Sequence, residues 1–148
     1  MLATAALVVL LFDVSPACRP AGDAAFDEHN YDQVLSVILV YYSLYSGDSI
    51  VNSGPAGMQS SSYRLKADGC RAELAKLFYT PEGAAYLTRI VGAQTRQTNL
   101  LAILELLYES DQPTAIPVFE TYSGNSNRVV ANRAKWYLKK AKKKHAQK

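Results

Sequence analysis

The chain has 148 residues, of which 49% are apolar and 20% charged. That is enough apolar material to bury a core in a single domain, and it excludes a chain held unfolded by charge repulsion. The net charge of +3 conceals a division: residues 1–127 hold seven basic and thirteen acidic side chains (7 − 13 = −6), and residues 128–148 hold nine basic and no acidic ones (+9). Alternating Val/Ile/Thr runs bounded by Asn-Gly or Asp-Gly turns are missing from the sequence. An all-α fold is therefore predicted.

Residues 1–18 form an apolar N-terminal segment. Eleven uncharged residues run from Leu2 to Phe12, and small residues follow at Ser15 and Ala17. This is the size of a signal-peptide core with a cleavage site after Ala17, and it is too short to span a bilayer. Asp13 and the lack of Lys or Arg before Leu2 depart from that pattern. Cys18, next to the cleavage position, is a candidate for lipidation or a disulfide. A buried N-terminal helix and a membrane anchor are the other readings of the segment. Residues 19–30 read as a polar linker, with Asp27, Glu28 and His29 in a solvated loop.

Tyr31 to Tyr45 carries Val34, Leu35, Ile38, Leu39, Tyr42 and Tyr45 at helical spacing, widened by Val37, Val40, Tyr41 and Leu44. A helix apolar nearly all round belongs at the centre of a fold. Residues 46–62 are rich in Gly, Ser and Pro and predict a flexible loop. Gly54-Pro55-Ala56-Gly57 matches no nucleotide-binding fingerprint. Residues 63–79 form the next predicted helix, with Leu65, Cys70, Leu74, Leu77 and Phe78 inward and Arg64, Lys66, Asp68, Arg71, Glu73 and Lys76 on a solvated face. Thr80 caps the following helix and Pro81 occupies its first turn; it ends near Gly92.

In the stretch from Thr98 to Leu138, Leu100, Leu101, Ile103, Leu104, Leu107 and Tyr108 line one broad helical face. Asp111 is predicted to cap a second helix with Pro113 in its first turn and Ile116, Val118, Phe119 and Tyr122 inward. Ser123-Gly124-Asn125 stops that helix, and Val129, Val130, Ala134, Tyr137 and Leu138 begin a third. Sliding the chain by about thirty residues sets Ala72, Leu74, Leu77 and Phe78 over Ala102, Leu104, Leu107 and Tyr108. Units of this length that cannot bury their apolar face alone mark helical solenoids. Across residues 63–140 this pattern resembles the HEAT-like helical-repeat family. The resemblance implies stacked αα-hairpins presenting a curved surface to other proteins, with no catalytic motif. An irregular bundle of antiparallel helices has the same periodicity.

Two cysteines and two distant histidines rule out a zinc site of standard spacing, so no cofactor or metal is expected. Neither histidine is set to activate a Ser or Cys. Glu105 and Glu109 share a helical face, where solvated carboxylates are the ordinary outcome. Helical periodicity buries Cys70, whose expected role is a small core thiol, with a Cys18–Cys70 disulfide as the alternative.

The C-terminus is the sharpest local signal: seven lysines fall in the last fourteen residues. Helical residues 31–141 are followed by a basic tail over 142–148. Lys139, Lys140, Lys142, Lys143 and Lys144, with Trp136 and Tyr137 as anchors, are candidates for contact with an acidic partner protein or an anionic membrane surface. Nucleic acid is the weaker alternative. A solvated, fraying helix end is the plain reading. The expected function is non-enzymatic: a scaffold or adaptor subunit of a larger assembly, extracytoplasmic if the N-terminal segment directs export and intracellular if it does not. The rivals are a nucleic-acid-binding protein and a small enzyme or ligand carrier.

Overall fold

The computed structural model describes residues 14–20, 25–45 and 69–147. The stretch Leu2 to Phe12, the loop 46–62 and residues 63–68 of the second expected helix lie outside them. Among the described residues there are six helices and no strand. These are α1 (Tyr31–Tyr45), α2 (described from residue 69 to 75 and ending in a 3-10 turn, Lys76–Phe78), α3 (Pro81–Val91), α4 (Gln97–Glu109), α5 (Ile116–Tyr122, after a 3-10 turn Pro113–Ala115) and α6 (Arg128–His145). The fold is all-α.

Local chemistry sets most of the boundaries. Thr80 Oγ1 accepts the Gly83 N–H at 3.0 Å and Pro81 occupies the first turn, so α3 starts where the cap satisfies an orphan donor. Asn127 Oδ1 does the same for α6, accepting from Val129 and Val130. α4 is the centre of the molecule. Leu100, Leu101, Ala102, Ile103, Leu104, Leu106 and Leu107 are all buried, because α1, α3 and α6 pack against different sides of it. α1 is not central as its composition suggested. It buries Val34, Leu35 and Ile38, and leaves Val40 57% exposed. Its apolar stripe is wider than the surface it buries against α4 and, through Tyr31 and Asp32, against Phe78 and Tyr86.

Three further expectations are corrected. Asp111 is not an N-cap: it lies one residue beyond the C-cap of α4 with φ 54°, and its N–H donates to the Tyr108 carbonyl. Asp tolerates this left-handed conformation better than a branched residue. The expected linker 19–30 is corrected over the described residues 25–30, since Phe26 packs on the core and the Glu28 side chain is only 14% exposed. Residues 142–145 are not a separate tail, because α6 continues through them to His145.

Three side-chain hydrogen bonds join alternate helices, α2 to α4, α3 to α5 and the start of α4 to the cap of α6. Tyr79 Oη donates to Glu109 at 2.9 Å, Tyr122 Oη donates to the Val91 carbonyl at 3.1 Å, and Asn127 Nδ2 donates to Gln97 Oε1 at 2.7 Å. Their partners are 30, 31 and 30 residues apart.

Candidate functional site

α6 has two faces. Val130, Ala134, Tyr137 and Ala141 are buried, the small alanines letting the helix lie close to its neighbours. Tyr137, expected as a surface anchor, is therefore 4% exposed: it stacks on Tyr108 with ring centroids 4.7 Å apart and meets Phe119 at 5.6 Å. Burial pushes its hydroxyl pKa above the ordinary tyrosine range, with the Glu105 carboxylate adding to the shift.

A second stripe runs beside the buried one, at the i, i+4, i+7, i+11, i+14 positions Val129, Arg133, Trp136, Lys140 and Lys143. Val129 is 51% exposed and Trp136 47%. Trp136, the single tryptophan of the chain, is held edge-on by Tyr137 and tilted against Tyr108 at 5.5 Å. The Lys140 ammonium sits 5.5 Å from its ring centroid. Val129, Asn132, Arg133 and Trp136 line an open notch of about 380 Å³.

The lysines divide by environment. Lys142 pairs with Glu120 at 2.8 Å and Lys144 with Asp111 at 2.7 Å, where His145 Nε2 also approaches to 3.5 Å. Lys139, Lys140 and Lys143 are exposed and form no ion pair among the described residues. Part of the C-terminal charge thus serves to dock α6 on the body, and the remainder faces outward around Trp136.

A second charged cluster lies where the sequence suggested only solvated faces. The Arg71 side chain is 18% exposed, and its guanidinium reaches Glu105 at 3.3 Å and Glu109 at 3.4 Å. Tyr79 donates to the other Glu109 oxygen. Burial opposes the charge on Arg71, and the two carboxylates outweigh it and raise the pKa. Burial pushes the Glu105 carboxyl up, although Arg71 pulls it down. The two carboxylates are a clamp on one cation rather than a solvated pair. Arg71 and Glu109 are 38 residues apart, so helical periodicity carried no signal of their meeting. Tyr86 and Asp32 make a similar long-range hydrogen bond between α3 and α1.

Cys18 and Cys70 form a disulfide across 52 residues. The expectation of Cys70 as a lone buried thiol is overturned: periodicity rightly buries it, and the residues before α1 fold back to supply its partner. Among the described residues there is no group of three or more His, Cys, Asp or Glu able to hold a metal ion, and no helix long and apolar enough to cross a membrane. Comparison with protein-family models, with curated proteins and with solved structures finds no match.

Proposed function

We propose that the protein is a non-enzymatic binding subunit, a scaffold or adaptor of stacked helical hairpins, that uses the outward stripe of α6 to hold an acidic segment of another protein. The observation that carries this is the combination on one helix face of two half-exposed apolar side chains, Val129 and Trp136, with lysines that form no ion pair among the described residues and no acidic residue between 128 and 148. A tryptophan and an arginine beside a notch, ringed by lysines, is the composition of an interface hot spot with a charged rim. The partner is complementary: carboxylates for Arg133, Lys139, Lys140 and Lys143, and one apolar side chain for the notch.

A protein segment fits better than a lipid surface. Only two large apolar side chains project from this face, too few for an interfacial helix, and Lys142 and Lys144 are already engaged within the molecule. The repeat architecture is supported by the three hydrogen bonds at separations of 30 and 31 residues, which match the thirty-residue slide of the apolar pattern. An extracytoplasmic location is supported by the Cys18–Cys70 disulfide, a bond that persists in oxidising compartments.

Trp136 is its own reporter, being the single tryptophan. An acidic peptide with one central leucine, titrated at low and at physiological salt, is expected to shift Trp136 emission to the blue, more weakly at high salt. Arg133→Glu with Lys140→Glu is expected to abolish the shift. No response to the peptide, with a shift on phosphatidylglycerol vesicles or on an oligonucleotide, replaces this reading with a membrane or nucleic-acid one.

A further inference from the structure

Residues 14–20 lie against the helical body as a strap, and the ties that hold it there are concentrated before Cys18. Val14 is 2% exposed and belongs to the same apolar cluster as Cys18, Cys70 and Leu74. Its N–H donates to Glu28 Oε2 at 3.2 Å, and the Ser15 N–H donates to Glu73 Oε1 at 2.7 Å. The Ser15 hydroxyl accepts the Ala17 N–H at 3.4 Å and so caps the 3-10 turn Pro16–Cys18. The second oxygen of Glu73 lies 3.3 Å from the Cys18 sulfur, a contact and not a hydrogen bond because a disulfide sulfur has no proton to donate. Glu28 also approaches Arg19 at 3.9 Å.

We infer that Val14–Cys18 is a retained part of the mature protein, that the small-residue site at Ser15 and Ala17 is not its cleavage site, and that Cys18 is held as a disulfide partner and not as a lipid acceptor. A chain beginning at Cys18 loses the buried Val14 side chain. It also strips Glu28 and Glu73 of the backbone donors they accept from and removes the cap of the turn that presents Cys18 to Cys70. Signal cleavage acts on the chain before it folds, so a cut after Ala17 leaves a body that lacks the Ser15 tie to α2 and the cap of the turn. Lipidation forms a thioether from a free thiol. The disulfide consumes that thiol: two thiols lose two protons and two electrons to an oxidised dithiol partner by exchange. The sequence pattern and the geometry therefore point to different first residues, and the geometry has the larger number of bonds to lose.

This inference rests on the oxidising compartment proposed above, but not on the α6 interface. The test is expression of the full chain in an exporting host, with intact mass before and after reduction and N-terminal sequencing of the extracytoplasmic protein. The expected result is a first residue at Val14 or earlier, with the mass rising by two hydrogens on reduction. A first residue at Ala17, Cys18 or beyond with the disulfide intact overturns this inference alone, and so does a diacylglyceryl group on Cys18. Free thiols on both cysteines overturn it together with the compartment. A second comparison covers a failure of export. Chains produced to begin at Val14 and at Cys18, oxidised under identical conditions, are expected to differ, the shorter one retaining more titratable thiol and melting at a lower temperature. Equal thiol content and equal melting overturn the inference.

Discussion

Gly83→Ala is the substitution for which helix propensity and tertiary structure give opposite signs. Gly83 sits in the first turn of α3, and replacing a helical glycine by alanine ordinarily stabilises by up to about 1 kcal/mol. Here a Cβ at Gly83 falls 2.6 Å from the Phe78 Cα and 2.9 Å from both its carbonyl carbon and oxygen. The shortest ordinary contact is 3.4 Å, so the overlap is 3.4 − 2.6 = 0.8 Å. All three atoms are backbone and cannot rotate away. The start of α3 has to withdraw from the fully buried Phe78 and from the Thr80 cap that Gly83 completes. Overpacking of this kind costs about 1–3 kcal/mol and a weakened cap about 1 kcal/mol. Subtracting the propensity gain leaves a net loss of about 2 kcal/mol, or a melting point lower by about 4–8 °C in a chain of this size. Urea and thermal unfolding followed by far-ultraviolet circular dichroism measure it. The control is Gly92→Ala: nothing lies within 4 Å of a Cβ there and φ is −67°, so that variant should match the wild type or exceed it slightly. A Gly83→Ala protein as stable as the wild type would refute the close approach of α3 to the α2 turn.

Replacing both cysteines with serine removes the crosslink across 52 residues, and loop-closure entropy puts its contribution at about 4 kcal/mol. The urea midpoint should fall accordingly, and reducing agent should lower the wild type but not the variant; a difference below about 1 kcal/mol contradicts the reading. Glu105 supplies a pH signature. Its folded pKa is raised above 4.5, so the native state holds a proton that the unfolded chain has released, and stability falls as pH rises from 4.5 through the raised value. Relative to Glu105→Gln, the wild type should therefore lose stability over that window, by less than about 1 kcal/mol because a third of the side chain meets solvent. Parallel pH profiles for the two proteins count against the buried carboxyl.

Much of this fold was legible locally. α1 and α3 run as the apolar spacing and the Thr80–Pro81 cap imply, because helix boundaries depend on groups within one turn of each other. The candidate site was legible as composition: the lysines, Trp136 and Tyr137 were marked, but not which of them face outward. Tyr137 and Trp136 are adjacent in sequence, and only the packing of α6 on α4 and α5 buries one and leaves the other exposed. The same holds for charge. Lys142 and Lys143 read alike, yet Glu120 is within reach of one alone.

What the amino-acid sequence determined by itself is the all-α class, the spans of α1 and α3 with the Thr80–Pro81 cap, and the separation of an acidic body from a basic end, all of them consequences of interactions within a few residues or of bulk composition. The tertiary structure decided which helix is central, that Arg71 is clamped by Glu105 and Glu109, that Asp111 receives Lys144, and that Cys18 meets Cys70 with Val14 buried beside it. Those contacts join residues 33 to 52 positions apart along the chain, where no local periodicity reaches, and they exist only because the helices close on α4 and bring distant side chains to one point.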